Sequence, residues 1–164
     1  MIMNSKGLLA AAPIKHMYTD KMRSHGVSFG LGEAGYDIRI KQDIHFHPYG
    51  APAEVVVDSK RVEGNFTLAS SIEEFDMPNH LVGVVHDKST WARKGLSVFN
   101  TVIENGWKGF LTLELVYHGQ EYLHIPAGAG IAQVLFHQTF MQTSYSGKYQ
   151  NQADKPVESV FSNT

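Results

Sequence analysis

Turn-forming residues interrupt this sequence so often that long helices are excluded over most of it. The runs YDIRIK (36–41), DIHFH (43–47), EVVVD (54–58), FTLA (66–69), LVGVVH (81–86), LSVFN (96–100), FLTLELVYH (110–118), EYLHI (121–125) and IAQVLFH (131–137) are short and rich in Val, Ile, Leu and aromatic residues. Gly, Pro, Asn and Asp separate them. Such residues pack well on a pleated surface, and many short strands with frequent turns make a sandwich or barrel. The pattern therefore predicts an all-β fold with few short helices, one near SKGLLAAA and one within STWARKG (89–95). There is no internal repeat or low-complexity linker, so residues 1–164 are expected to form a single domain, long enough to bury a core without cross-links. The polar segment 144–164 reads as a flexible tail or as a lid that orders over a ligand.

Composition narrows the function. With 43% hydrophobic and 18% charged residues, the chain has the balance of an ordinary soluble globular protein. A net charge of −2 gives no field for holding nucleic acid or an anionic membrane, although a local Lys/Arg cluster could still bind a small anion. The absence of cysteine excludes a disulfide scaffold and any Cys-ligated zinc, and fits a reducing compartment. LLAAA lacks the flanks of a signal peptide and no run has the length of a membrane span, so the expected location is cytoplasmic.

Three stretches could carry chemistry. In VIENGWKGFLTLE (102–114), strand alternation puts Leu111, Leu113, Leu115 and Tyr117 on one face. Glu114 shares the other with Phe110, Thr112 and Val116. Asn105-Gly106 signals a tight hairpin, with Glu104 before it and Trp107 at its lip. Trp107 serves by default as a core residue, or else as a flat wall for a sugar or base.

In HDKSTWARKGL (86–96), Ser89 or Thr90 suits a helix N-cap, with Arg93 one turn after Ser89. Such a terminus flanked by Lys88 and Arg93 would attract phosphate, but a capped surface turn is the commoner use of so short a pattern. Finally, Asp43, His45 and His47 alternate onto one strand face. With no further ligand cluster evident, solvated edge histidines are preferred there to a metal site.

Together these residues resemble the superfamily of dCTP deaminases and trimeric dUTPases, in order from about Gly35 to Gln152. GEAGYDIRI (32–40) resembles its early Gly-Tyr-Asp strand. HDKSTWARKGL resembles its Arg-Ser-Ser-Leu-Ala-Arg segment, with Lys88 and Trp91 in place of the usual Arg and Leu. TVIENGWKGFLTLE, IPAGAGIAQVLF (125–136) and YSGKYQNQ (145–152) resemble three further motifs. The tail has one glycine after Ser144, where trimeric dUTPases have a glycine-rich segment, and the hairpin strand ends in Leu-Glu; both features favour the deaminase branch. Glu104 stands where the family has Asp.

The resemblance implies a distorted jelly-roll β-barrel of the dUTPase-like type, with the tail 144–164 over a nucleotide site. It also implies a homotrimer with sites between subunits, and dCTP or dUTP as ligand. Mg²⁺ would be held mostly by the triphosphate and not by a protein cage, and zinc is not expected. Glu114 would shuttle protons at the base, Ser89 would orient the water, and Arg93 would support the reacting centre. The substrate contacts it implies are Lys88, Thr90, Trp91, Ala92, Glu104, Trp107, Thr112, Leu113, Tyr145, Lys148 and Gln152, with Glu104 on the 3′-hydroxyl and Trp107 beside the sugar. A bifunctional enzyme or dUTP pyrophosphatase, and a non-catalytic nucleotide-binding regulator on the same fold, remain alternatives.

Overall fold

The computed structural model describes residues 1–161; the last three positions of the expected lid lie outside the described residues. Among the described residues two helices are present. Helix α1 (Ser5–Ala11) begins at Asn4, whose Oδ1 accepts from the Gly7 N–H at 3.0 Å, and ends where Ala12 turns left-handed. Helix α2 (Ser89–Ala92) is a single turn. Its N-cap is Lys88 and not Ser89 or Thr90, and no side chain caps it.

Thirteen strands run β1 (Lys21–Ser24), β2 (Val27–Gly32), β3 (Gly35–Arg39), β4 (Ile44–His47), β5 (Glu54–Val57), β6 (Lys60–Glu63), β7 (Phe66–Asp76), β8 (Leu81–Asp87), β9 (Leu96–Val98), β10 (Val102–Ile103), β11 (Lys108–Tyr117), β12 (Leu123–Ile125) and β13 (Gly130–Gln138). They form three antiparallel sheets, in the orders β1-β2-β3-β13-β8-β10, β7-β11-β9 and β12-β4-β5-β6. The fold is all-β as expected, but no sheet closes on itself, so the barrel is an open and distorted one. Antiparallel pairing lets one face of each strand enter the core while the other meets solvent. Ile38, Ile40, Ile44, Phe46, Phe75, Leu113, Leu115, Ile131, Val134 and Phe136 fill that core at 1% exposure or less.

Two hairpins escape the sequence pattern. β1 and β2 are joined by His25-Gly26, and β5 and β6 by Asp58-Ser59, with positive φ at all four residues. Two-residue loops of this type match the right-handed twist of the flanking strands. The opposite error occurs at Asn105-Gly106. That turn does not close a hairpin, because β10 pairs with β8 in the six-stranded sheet while β11 pairs with β7 and β9. It is a corner where the chain changes sheet.

Candidate active site

The corner opens the site. The Trp107 N–H donates to the Glu104 carbonyl at 3.1 Å, and Gly106 takes φ +68, as the third residue of a type II turn requires. Asn105 is buried and donates its side-chain amide to the Asn79 carbonyl and to Thr139 Oγ1, both at 3.0 Å. Glu104 is thereby left exposed on the rim of a cavity of about 450 Å³, a size that suits a small-molecule ligand.

Strand β11 lies along this cavity. Thr112 and Glu114 both line it, while Leu113 and Leu115 point into the core at 0% exposure. Alternation therefore reads correctly from Thr112 to Leu115. Upstream it fails: the register with β7 slips between Phe110 and Thr112, and the Leu111 N–H bonds to Ser71 Oγ at 2.9 Å. Such a bulge adds a residue and changes which face the next side chain takes. Leu111 consequently joins Phe66, Leu68 and Val102 around the cavity and leaves the leucine face.

Glu114 is half-buried among these groups. Its N–H meets Asn100 Oδ1 at 3.3 Å, and Asn100 in turn donates to the Thr112 carbonyl at 2.7 Å. No hydrogen bond to the Glu114 carboxyl occurs among the described residues, and burial pushes its pKa above the ordinary carboxylate value. A carboxyl that is partly desolvated and uncommitted is suited both to take and to give a proton.

Trp107 takes the core position expected of it by default. It is 5% exposed, packs against Phe75 with ring centroids 6.1 Å apart, and still lines the cavity. Its indole N–H donates to the Tyr149 carbonyl at 2.7 Å and so ties down the C-terminal segment.

That segment is docked along the start of β11. Gln152 pairs in parallel with Gly109; its carbonyl accepts from Phe110 N–H at 3.1 Å, and its side-chain amide reaches Thr112 Oγ1 at 2.8 Å. The Lys108 N–H donates to Gln150 Oε1 at 2.7 Å, and the Val157 N–H to Thr112 Oγ1 at 3.1 Å. Tyr145, Tyr149, Gln152, Val157, Glu158 and Ser159 all line the cavity. Lys148 does not; its ammonium bonds to the Val160 carbonyl. Asn100 and Glu158 were not legible as site residues, since neither belongs to a recognisable motif; Tyr149 lies within YSGKYQNQ but was not singled out there.

Gly109 permits the docking. At φ +128, a Cβ there would stand 2.5 Å from Gln152 N and 2.6 Å from its carbonyl oxygen. Gly109→Val should therefore displace the segment. Hydrogen exchange of the amides from 150 to 157 should quicken at least about tenfold while exchange in β13 is unchanged.

Residues 88–93 do not line this cavity. Ser89, Thr90, Ala92 and Arg93 are exposed, whereas Trp91 is buried and donates its indole N–H to the Gly130 carbonyl at 2.7 Å. Lys88 is also buried, its ammonium 2.5 Å from Asp37 Oδ2 and 3.0 Å from Ser28 Oγ. One turn of helix with no free cation at its start is a poor phosphate cradle by itself.

Comparison with known proteins bears on this arrangement. Residues 9–139 match the family described as dCTP deaminase-like. The chain is 32% identical to a dCTP deaminase of Acinetobacter baumannii (strain AYE), over 81% of this chain and 80% of the relative. It is 38% identical to a dCTP deaminase of Campylobacter jejuni (strain RM1221), over 77% and 78% of the two chains. Among solved structures, the native EIAV dUTPase matches with a TM-score of 0.52 and 19% identity, covering 84% of this chain and 92% of that one. The 2′-deoxycytidine 5′-triphosphate deaminase of Agrobacterium tumefaciens matches at 0.57 and 16%, over 84% of this chain and 48% of that one. These two establish a shared fold.

Proposed function

Because the chain belongs to the dCTP deaminase-like family, we propose that it removes the 4-amino group of dCTP by hydrolysis, giving dUTP and ammonia. The observation that carries this reading is Glu114: a carboxyl on the cavity wall, raised in pKa by burial and without a hydrogen-bond donor among the described residues. Attack of water at C4 requires one group to take the water's proton, deliver it to the ring nitrogen, and later protonate the departing amine. A single carboxyl that cycles between its two forms performs all three transfers, and atoms balance as dCTP plus water giving dUTP plus ammonia. Zinc deaminases activate the water with a metal on His and Cys ligands, and a cysteine-free chain has no such set.

The remaining roles follow from position. Trp107 and Leu111 would wall the sugar and base, Glu104 on the rim would take the 3′-hydroxyl, and Thr112 with Gln152 would close the cavity over the nucleotide. Phosphate needs cations, and among the described residues no Lys or Arg lines this cavity. Exposed Ser89 and Thr90 on α2, with Arg93 just after it, would supply the missing groups from a neighbouring copy in a homotrimer with shared sites. Lys88, held by Asp37 and Ser28, would then set the shape of the α2 loop instead of meeting phosphate directly. Mg²⁺ would arrive on the triphosphate oxygens, where it neutralises charge; Glu104, Glu114 and Glu158 do not gather into a group of ligands.

One assay tests the reading. With dCTP as substrate, ammonia and dUTP should accumulate in equal amounts, without pyrophosphate. Pyrophosphate from dCTP or dUTP would replace this reading with a bifunctional or dUTPase activity, for which Glu104 is a second cavity carboxylate. Binding of dCTP without turnover would replace it with a regulator.

A further inference from the structure

A second site lies on the four-stranded sheet. His124 of β12 and His45 of β4 stand directly opposite in the antiparallel register, and their rings stack with centroids 4.1 Å apart and planes within 4°. Asp43, two residues before His45, shares that face by alternation. Its Oδ2 lies 2.6 Å from His45 Nε2 and its Oδ1 2.8 Å from His124 Nε2. One ligand atom from each residue falls within 4.8 Å of the others. None of the three lines the active-site cavity.

We infer that Asp43, His45 and His124 bind a zinc-class divalent ion that clips edge strand β12 to β4. Two imidazole nitrogens and one carboxylate oxygen are a donor set for zinc and its neighbours; magnesium prefers oxygen ligands throughout. A divalent ion would take the place of the hydrogens through which the two Nε2 atoms now meet Asp43.

The support around the cluster fits this use. His45 Nδ1 lies 2.5 Å from the Tyr122 hydroxyl, so Nδ1 can keep its hydrogen and leave Nε2 as the ligand atom. The Asp43 backbone is fixed by two bonds to Asp58, from Asp43 N–H to Oδ1 at 2.9 Å and from Asp58 N–H to the Asp43 carbonyl at 3.0 Å. The ligands are only partly covered, leaving room for water in the remaining positions.

The test uses tag-free, chelator-treated full-length protein titrated with zinc chloride and, separately, cobalt(II). One equivalent of zinc should bind, the melting temperature should rise with zinc, and cobalt should develop the visible bands of a low-coordinate nitrogen–oxygen site. His45→Ala/His124→Ala should lose the site, with at least about a hundredfold weaker zinc binding, and Tyr122→Phe should weaken it about tenfold. His124→Gln, which keeps the bulk of the ring's stem, guards against loss through misfolding and should give the same loss of the cobalt bands with an unchanged circular dichroism spectrum. Failure of the parent protein to bind zinc saturably, or equal binding by the double variant through its other histidines, overturns the inference. Neither outcome depends on nucleotide turnover.

Discussion

Replacing Glu114 by Gln should lower the rate of ammonia release from dCTP by about 10²–10⁴-fold, the usual contribution of a positioned acid–base group. Gln keeps the shape and burial of the side chain but can neither take a proton from water nor return one to the amine. Binding of dCTP, measured by calorimetry in the absence of turnover, should change little. Equal loss of binding would mean that Glu114 holds substrate instead of moving protons, and normal turnover would remove it from the mechanism.

The same variant carries a second signature. Burial raises the folded-state pKa of Glu114 above its value in the unfolded chain, so folding favours the protonated carboxyl. The stability this confers is complete below the unfolded pKa and is lost as pH rises through the folded one. Above the folded-state pKa the group is a partly desolvated charge, and Glu114→Gln should raise the melting temperature slightly there, with the gain disappearing in acid. An active site that stores such a cost trades stability for chemistry.

The second large effect concerns sharing between subunits. Arg93→Ala and Glu114→Gln should each be nearly inactive as pure proteins. If each site takes Arg93 from one copy and Glu114 from another, co-refolded equal mixtures should recover about a quarter of the parent activity. That fraction is the chance that a site draws its Arg93 and its Glu114 from the two subunits that still carry them. No recovery would place both residues in the same chain's site and remove the need for a partner.

What the sequence revealed and what it concealed divide along physical lines. Period-two alternation placed Thr112 and Glu114 together because it is a property of local backbone geometry. It misplaced Leu111 because a bulge depends on the partner strand, here through Ser71. His25-Gly26 and Asp58-Ser59 were missed as turns because the usual Asn-Gly and Asp-Gly signals describe preference, and other pairs also reach positive φ. Asn105-Gly106 has that signal and still makes a corner, since turn chemistry fixes local direction and not the next partner. His124 could not be joined to Asp43 and His45 before the pairing of β12 with β4 was known. The docking of the C-terminal segment joins backbone groups to the side chains of Trp107, Thr112, Gln150 and Gln152, and which of these meet is set by the pairing of Gly109 with Gln152, a long-range contact.

The bulge at Leu111 has a consequence for inheritance. Gly109 grips the C-terminal segment and Glu114 reaches the cavity from the same strand, with one irregular residue between them. Substitutions along this stretch can drift while size and polarity hold. A single insertion or deletion between the two positions cannot, because it would change the number of residues that separate the grip from the carboxyl and put one of them on the wrong side of the sheet. Among descendants of this sequence that keep the activity, the length of this segment should vary less than the identity of its residues.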